Sequence, residues 1–193
     1  FVKTRFNVNL EMNQIVPSFG TREVLFNFPQ FVLFDKINPV MAFTNPFYQI
    51  YEGAAIASRA EVIHIDLTKE NSFKATLSDE DLKRCDLVIL NFPNNPTSAS
   101  MSKADLGEWV KKALEFDFIL VNDECYSEIY FDEATKPASL LEASIFVNSF
   151  GETREVSQGF SVNTFDNQIP SQSTPIEPQQ FQDVNSNLNT NSL

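Results

Sequence analysis

Apolar residues along the chain fall into two patterns. Short unbroken runs stand at Val40–Phe43, Leu87–Leu90 and Phe118–Val121, each bounded by turn or polar residues. Such runs predict strands buried on both faces of a parallel sheet. Val62-Ile63-His64-Ile65-Asp66 alternates apolar and polar positions and predicts a strand nearer an edge. Asn13-Gln14-Ile15-Val16 predicts a further short strand. Between these lie helical patterns. The apolar stretch from Val24 to Phe34 predicts a helix whose N-terminus stands at Gly20 and Thr21. A second helix opens at Asn45-Pro46, where proline suits the first turn, and runs to about Arg59. Ser78, with Asp81 three residues on, marks a helix start. Ser102 caps another that ends near Phe116, with Leu106, Trp109, Val110 and Ala113 on one apolar face. Residues 1–10 read as the end of a helix and a loop. Buried strands separated by helices predict an α/β fold with a mostly parallel sheet.

The pattern fails after Val147. Asn, Ser and Gln make up 20 of the last 46 residues, so residues 148–193 lack the apolar surface that a packed unit needs. No lysine follows Lys136, and Arg154 is the one basic residue of that segment. Two segments are therefore expected: a folded unit over 1–147, and a polar tail over 148–193 that is disordered or arises from a shift of reading frame. The first residue is Phe1 rather than methionine, and the chain reads as a fragment. Net charge is −12, which opposes a nucleic acid or an anionic membrane as partner. No apolar run is long enough to span a bilayer. Cys85 and Cys125 suggest neither a disulfide framework nor a zinc site, and fit a reducing cytoplasm. His64 is the only histidine, cannot build a metal site alone, and reads as structural.

Candidate chemistry gathers at strand ends. Asp123 and Glu124 follow the run Phe118–Val121, and Tyr126 stands three residues past Asp123. In open α/β sheets that edge binds ligands. The alternative is a carboxylate that caps the next turn and a tyrosine packed in the core. The second such run passes into Asn91-Phe92-Pro93-Asn94-Asn95-Pro96-Thr97, where two prolines stiffen the turn and direct Asn95. At Gly20-Thr21, free N–H groups of a helix start favour an anion, or simply a cap.

The Asn-x-Pro-x-Asn-Pro-Thr turn, taken with Asp-x-x-Tyr after the next strand, resembles the class I/II aminotransferases, fold-type-I enzymes that use pyridoxal 5′-phosphate (PLP). The resemblance covers about residues 1–147 and implies a doubly wound, mostly parallel sheet. It implies that Asp123 pairs with the pyridine nitrogen of PLP, and that Asn95 and Tyr126 hydrogen-bond its 3′ oxygen. Gly20-Thr21-Arg22-Glu23 is similar to the family's phosphate turn, which assigns Gly20, Thr21 and the Arg22 amide to the phosphate. Pro46-Phe47-Tyr48-Gln49-Ile50-Tyr51 is similar to a family motif whose first tyrosine stacks on the cofactor. That implies Tyr48, with Phe47 as the competing choice; Tyr51 reads as core packing. The family has glycine after Pro-Thr, where this chain has Ser98.

The resemblance implies transfer of an amino group between an amino acid and a 2-oxo acid, by an enzyme that works as a homodimer. It is strongest to bacterial enzymes acting on N-succinyl-diaminopimelate, with aspartate aminotransferase the alternative. The family's Schiff-base lysine, on a Ser-x-Ser-Lys turn, is absent from the chain, as are its arginine for the cofactor's phosphate and its arginine for the substrate's carboxylate. No catalytic residue is therefore assigned, and the chain alone is expected to be inactive. Two other readings remain open: a lysine-less PLP-fold protein that binds without transamination, and a degenerate domain whose polar tail is the interacting part.

Overall fold

The computed structural model describes residues 1–143 and the strand 159–162. The element order is α1 (Val2–Phe6), α2 (Thr21–Val32), β1 (Val40–Asn45), α3 (Ile50–Ser58), β2 (Glu61–Asp66), α4 (Asp79–Leu82), β3 (Leu87–Asn91), α5 (Lys103–Phe116), β4 (Ile119–Asp123) and β5 (Gly159–Val162). The strands form one sheet in the order β2-β1-β3-β4-β5, and every pairing is parallel. β2 lies at an edge, where its alternating polarity suits one solvated face.

The pleat divides the core in two. Val40, Ala42, Val88, Leu90 and Leu120 point to one side, where they pack with Leu106, Trp109, Val110 and Ala113 of α5. Met41, Phe43, Leu87, Ile89 and Val121 point to the other, against Leu25 of α2 and Tyr51 and Ala55 of α3. Alternate residues of one strand thus feed opposite layers, and both layers are apolar. That is why these strands read as unbroken runs. The fold is the doubly wound α/β arrangement expected. α5 begins where Ser102 Oγ accepts the Asp105 N–H at 3.1 Å. α4 begins in the same way at Ser78.

Three expectations differ from the structure. Asn13-Gln14-Ile15-Val16 forms no strand; Met12–Gln14 is a 3-10 turn. The Glu11 N–H donates to Gln14 Oε1 at 2.8 Å, so local side-chain bonding closes the turn. Ile15 and Val16 face outward with no strand beside them. Pro46 does not open a helix. Asn45 still belongs to β1, and α3 starts only at Ile50. Asn45 Nδ2 donates to Asp66 Oδ1 at 2.7 Å, which keeps the chain extended as far as the proline. Lastly, β5 lies within the segment read as a polar tail and pairs with β4 from Leu120↔Gly159 to Asp123↔Val162. The remainder of 148–193, with its expected disorder, lies outside the described residues. Among the described residues no helix is long and apolar enough to cross a membrane.

Candidate functional site

β1 pairs with β2 on one side and β3 on the other, so the chain leaves it in opposite directions. A crevice opens at such a point beyond the C-terminal ends of the strands. Asn91 ends β3 and Asp123 ends β4, and the two are register partners. Asn91 Nδ2 donates to the Asp123 carbonyl at 2.9 Å, and Asn91 Oδ1 accepts the Asn95 N–H at 2.9 Å. On the next strand, Asn122 Oδ1 accepts the Phe92 N–H at 3.1 Å, and its amide donates to the Phe92 carbonyl at 3.2 Å. These two buried asparagines lock the turn 92–97 onto the sheet edge. Asn91 opens the motif quoted from the sequence but was given no role there, and Asn122 was not singled out; their place at the ends of two adjacent buried strands was the available signal.

The turn delivers Asn95 to Tyr126, with its amide nitrogen 3.4 Å from the phenol oxygen. Ser98 adopts φ 59°, the left-handed region. Glycine enters that region freely and an L-residue at a cost of about 1 kcal/mol, which is a physical reason for glycine in the related motif. A cleft of about 440 Å³ opens beside Asn95 and Tyr126, walled also by Pro93, Tyr130 and Phe131.

Asp123 is 2% exposed and points to the α2/α3 side of the sheet. Tyr51 Oη donates to its Oδ2 at 2.6 Å. Oδ1 receives the Cys125 N–H at 3.4 Å, and the Cys125 thiol also bonds the carboxylate. Burial pushes the Asp123 carboxyl above its ordinary range, and the Tyr51 bond partly opposes this. Among the described residues no lysine or arginine pairs with it. The same burial, with Asp123 nearby, drives Tyr51 far up and Cys125 up to about 12, so both stay protonated donors. The core reading of Tyr51 is therefore incomplete: the ring is buried, and its hydroxyl holds the key carboxylate. Glu124, the other carboxylate of this stretch, turns inward. Its Oε1 accepts from Leu140 N at 2.7 Å and Asn122 Nδ2 at 2.9 Å, so it ties the distant segment at Leu140 to the strand end and does not cap the turn that follows.

Tyr48 is half-buried, its ring 6.1 Å from that of Tyr51, and its hydroxyl accepts from Arg22 Nε at 2.6 Å. Phe47 instead stacks on His64 and meets Phe43 edge-on, whereas the Tyr48 ring meets Tyr51, the residue bonded to Asp123. Arg22 lies in the first turn of α2, whose N-cap Gly20 offers no side-chain bond. Among the described residues the leading N–H groups of α2 thus have no side-chain cap, a setting that suits an anion. Gly20 sits at φ 126°, ψ 163°, a conformation essentially restricted to glycine. Arg22, Tyr48, Tyr51 and Asp123 thereby form one contact chain, and Asn95 with Tyr126 a second pair at the same sheet edge.

These features fit PLP. A buried carboxylate without a cation suits a protonated ring nitrogen. The amide–phenol pair offers donors to a ring oxygen, and the open helix start suits a phosphate.

Comparison with known proteins agrees with this geometry. The family model described as aminotransferase class I and II matches residues 1–161, and so extends past Val147 into β5. A curated LL-diaminopimelate aminotransferase of Maridesulfovibrio salexigens is 35% identical over 144 residues, 72% of this chain and 37% of the relative. The aminotransferase AspB structure from Helicobacter pylori is 50% identical with a TM-score of 0.78, over 84% of this chain and 42% of its own. An aminotransferase structure from Neisseria meningitidis is 33% identical with a TM-score of 0.74, over 84% of this chain and 41% of its own. The chain thus spans well under half the length of these relatives.

Proposed function

The chain belongs to the aminotransferase class I and II family, and on that premise we propose that it is the cofactor-holding part of an enzyme that moves an amino group between an amino acid and a 2-oxo acid. The observation that carries this reading is Asp123, buried at the end of β4, bonded by Tyr51 and, among the described residues, paired with no cation. PLP, when bound, supplies a ring that draws electrons from the substrate's α-carbon. Asp123 keeps the proton on the ring nitrogen. Asn95 Nδ2 and Tyr126 Oη donate to the ring's 3′ oxygen. The Gly20, Thr21 and Arg22 amides bind the phosphate, and Tyr48 covers a ring face and keeps water from it.

One role has no residue here. Anchoring the cofactor covalently and moving the α-proton requires an amine beside the ring. Lys111 pairs with Glu108, Lys112 lies over Trp109, and both stand on α5, across the sheet from Tyr51. Lys136 pairs with Glu133, and no lysine follows it. The chain as it stands is therefore proposed to bind PLP without turnover.

For the substrate, several curated relatives carry the name LL-diaminopimelate aminotransferase. That supports a free diamino diacid, in place of the N-succinylated form expected from the motifs. A homodimer belongs to the same proposal, supported by outward-facing Val16 and Phe19 beside the start of α2. A cytoplasmic setting fits Cys85 and Cys125, neither of which is in a disulfide.

The test is borohydride reduction of the purified chain mixed with PLP, together with an amino-transfer assay. Saturable PLP binding, no single trapped lysine and no transfer are expected. A stoichiometric adduct on one lysine with measurable transfer would contradict the proposal of a chain without turnover.

A further inference from the structure

Behind the loop that carries Tyr126, α1 reaches across the fold. The Arg5 side chain keeps only 8% of its surface exposed. Its Nε donates to Glu128 Oε1 at 2.7 Å. Its Nη2 donates to the Pro137 carbonyl at 3.1 Å and lies 3.5 Å from the Ser127 carbonyl. The guanidinium also lies over the Phe6 ring at 4.8 Å and the Tyr130 ring at 5.7 Å. One rigid fork thus holds both ends of the stretch from Ser127 to Pro137, much of which is otherwise exposed.

Stability alone accounts poorly for this arginine. Bringing a guanidinium out of water carries a desolvation cost before its bonds return any of it. Here Nη1 is buried with no partner among the described residues, which adds to the cost. An apolar side chain would cover Phe6 and Tyr130 without either cost. Only the planar fork can tie a carboxylate and a carbonyl from two ends of one loop. Tyr126 immediately precedes the clamped Ser127, whose N–H bonds the Glu124 carbonyl at 3.0 Å, while the Ile129 N–H bonds the Tyr126 carbonyl at 3.0 Å. The phenol itself is held by the long contact to Asn95 and by the side chain of its neighbour Cys125.

We infer that Arg5 is a positioning residue for Tyr126: by clamping Glu128 and Pro137 against α1, it fixes where the phenol stands against the Asn95 amide. The functional meaning rests on the reading that Asn95 and Tyr126 hold the cofactor's oxygen; the clamp itself is measurable without cofactor.

The experiment is NMR on the full chain, with ¹³C-labelled tyrosine rings and no PLP. It compares the wild type with Arg5→Met and Glu128→Ala, and identifies Tyr126 through Tyr126→Phe. In Arg5→Met the Tyr126 ring signal is expected to move, and the Ser127 and Ile129 amides to exchange at least about tenfold faster. The Tyr51 signal, fixed at Asp123, is expected to stay. Glu128→Ala should give a smaller change of the same kind. If Arg5→Met does not fold, Glu128→Ala decides alone. An unmoved Tyr126 with unchanged exchange overturns the inference. So does a Tyr126 shift that comes only together with a Tyr51 shift, since that marks general loosening. PLP added to the wild type without effect on Tyr126 would instead overturn the cofactor reading and leave the clamp standing.

Discussion

Tyr51 and Asp123 lie on different elements, α3 and β4, and meet at 2.6 Å through a phenol that donates to a buried carboxylate. The bond has two effects. It satisfies one oxygen of a carboxylate that burial penalises, and it fixes which way the other oxygen faces. Tyr51→Phe removes the donor and leaves the ring. The expected loss at neutral pH is on the order of 1–3 kcal/mol, the range for a hydrogen bond to a buried charged group. In a double-mutant cycle, Tyr51→Phe should cost much less once Asp123→Asn is present. Urea unfolding of the four proteins measures this; strict additivity would show that the two side chains do not act together.

Asp123 also sets a pH dependence. Its carboxyl is raised in the folded chain above the ordinary 3.8, chiefly by burial. The folded state therefore holds that proton more tightly than the unfolded one. The group favours folding fully below the ordinary carboxylate value, and this contribution is lost as pH rises through the raised folded value. Without cofactor, Asp123→Asn should melt higher than the wild type at pH 7, and the gap should narrow towards pH 4. Melting curves across that range decide it. A variant less stable than the wild type at pH 7 would contradict the reading of Asp123 as an uncompensated buried charge.

Gly20 is constrained by its backbone and not by space. A Cβ there would have no heavy atom within 4 Å, yet φ is 126°. Gly20→Ala should lose about 1–3 kcal/mol by forcing an L-residue into that conformation, or else shift the turn that starts α2. Either outcome should weaken PLP binding along with stability. Chemical denaturation beside a PLP titration measures both; unchanged stability would refute the strained-turn account.

The cap of α5 is a local test of the fold. Ser102 Oγ accepts the Asp105 N–H at 3.1 Å and donates to Asp105 Oδ2 at 2.6 Å. That bond from Ser102 is the leading cause holding the Asp105 carboxyl below its ordinary value. Ser102→Ala should cost about 1 kcal/mol at neutral pH. Part of that difference should fade as pH falls through the Asp105 range, because a lowered carboxyl stabilises the fold only while ionised. Denaturant midpoints at pH 7 and at low pH check the size and the direction.

What could be read beforehand follows from locality. Leu87–Leu90 is buried on both faces, so one short run sufficed to place β3. Ser78 and Ser102 announce their helices because a cap involves residues three apart. Asn95, Asp123 and Tyr126 sit at strand ends, where motif and topology coincide. Contacts between distant elements were not legible. Tyr51 falls on the same apolar stripe whether or not a carboxylate waits at its hydroxyl, and Arg5 looks like any basic residue near a helix end. The turn at Met12–Gln14 was misread because Ile15 and Val16 favour strands, while the Glu11–Gln14 bond that closes it is polar. β5 was hidden for another reason: it is a four-residue strand inside a segment rich in Asn, Ser and Gln, and its pairing with β4 joins residues far apart in sequence.

The most direct test is a crystal structure of the chain soaked with PLP. The account predicts the phosphate on the amides of Gly20, Thr21 and Arg22, the ring nitrogen against Oδ1 of Asp123, the oxygen not bonded by Tyr51, and the 3′ oxygen within hydrogen-bond reach of Asn95 and Tyr126. No lysine should be joined to the cofactor. PLP bound elsewhere on the chain, or at the strand ends with its ring nitrogen turned away from Asp123, would contradict it.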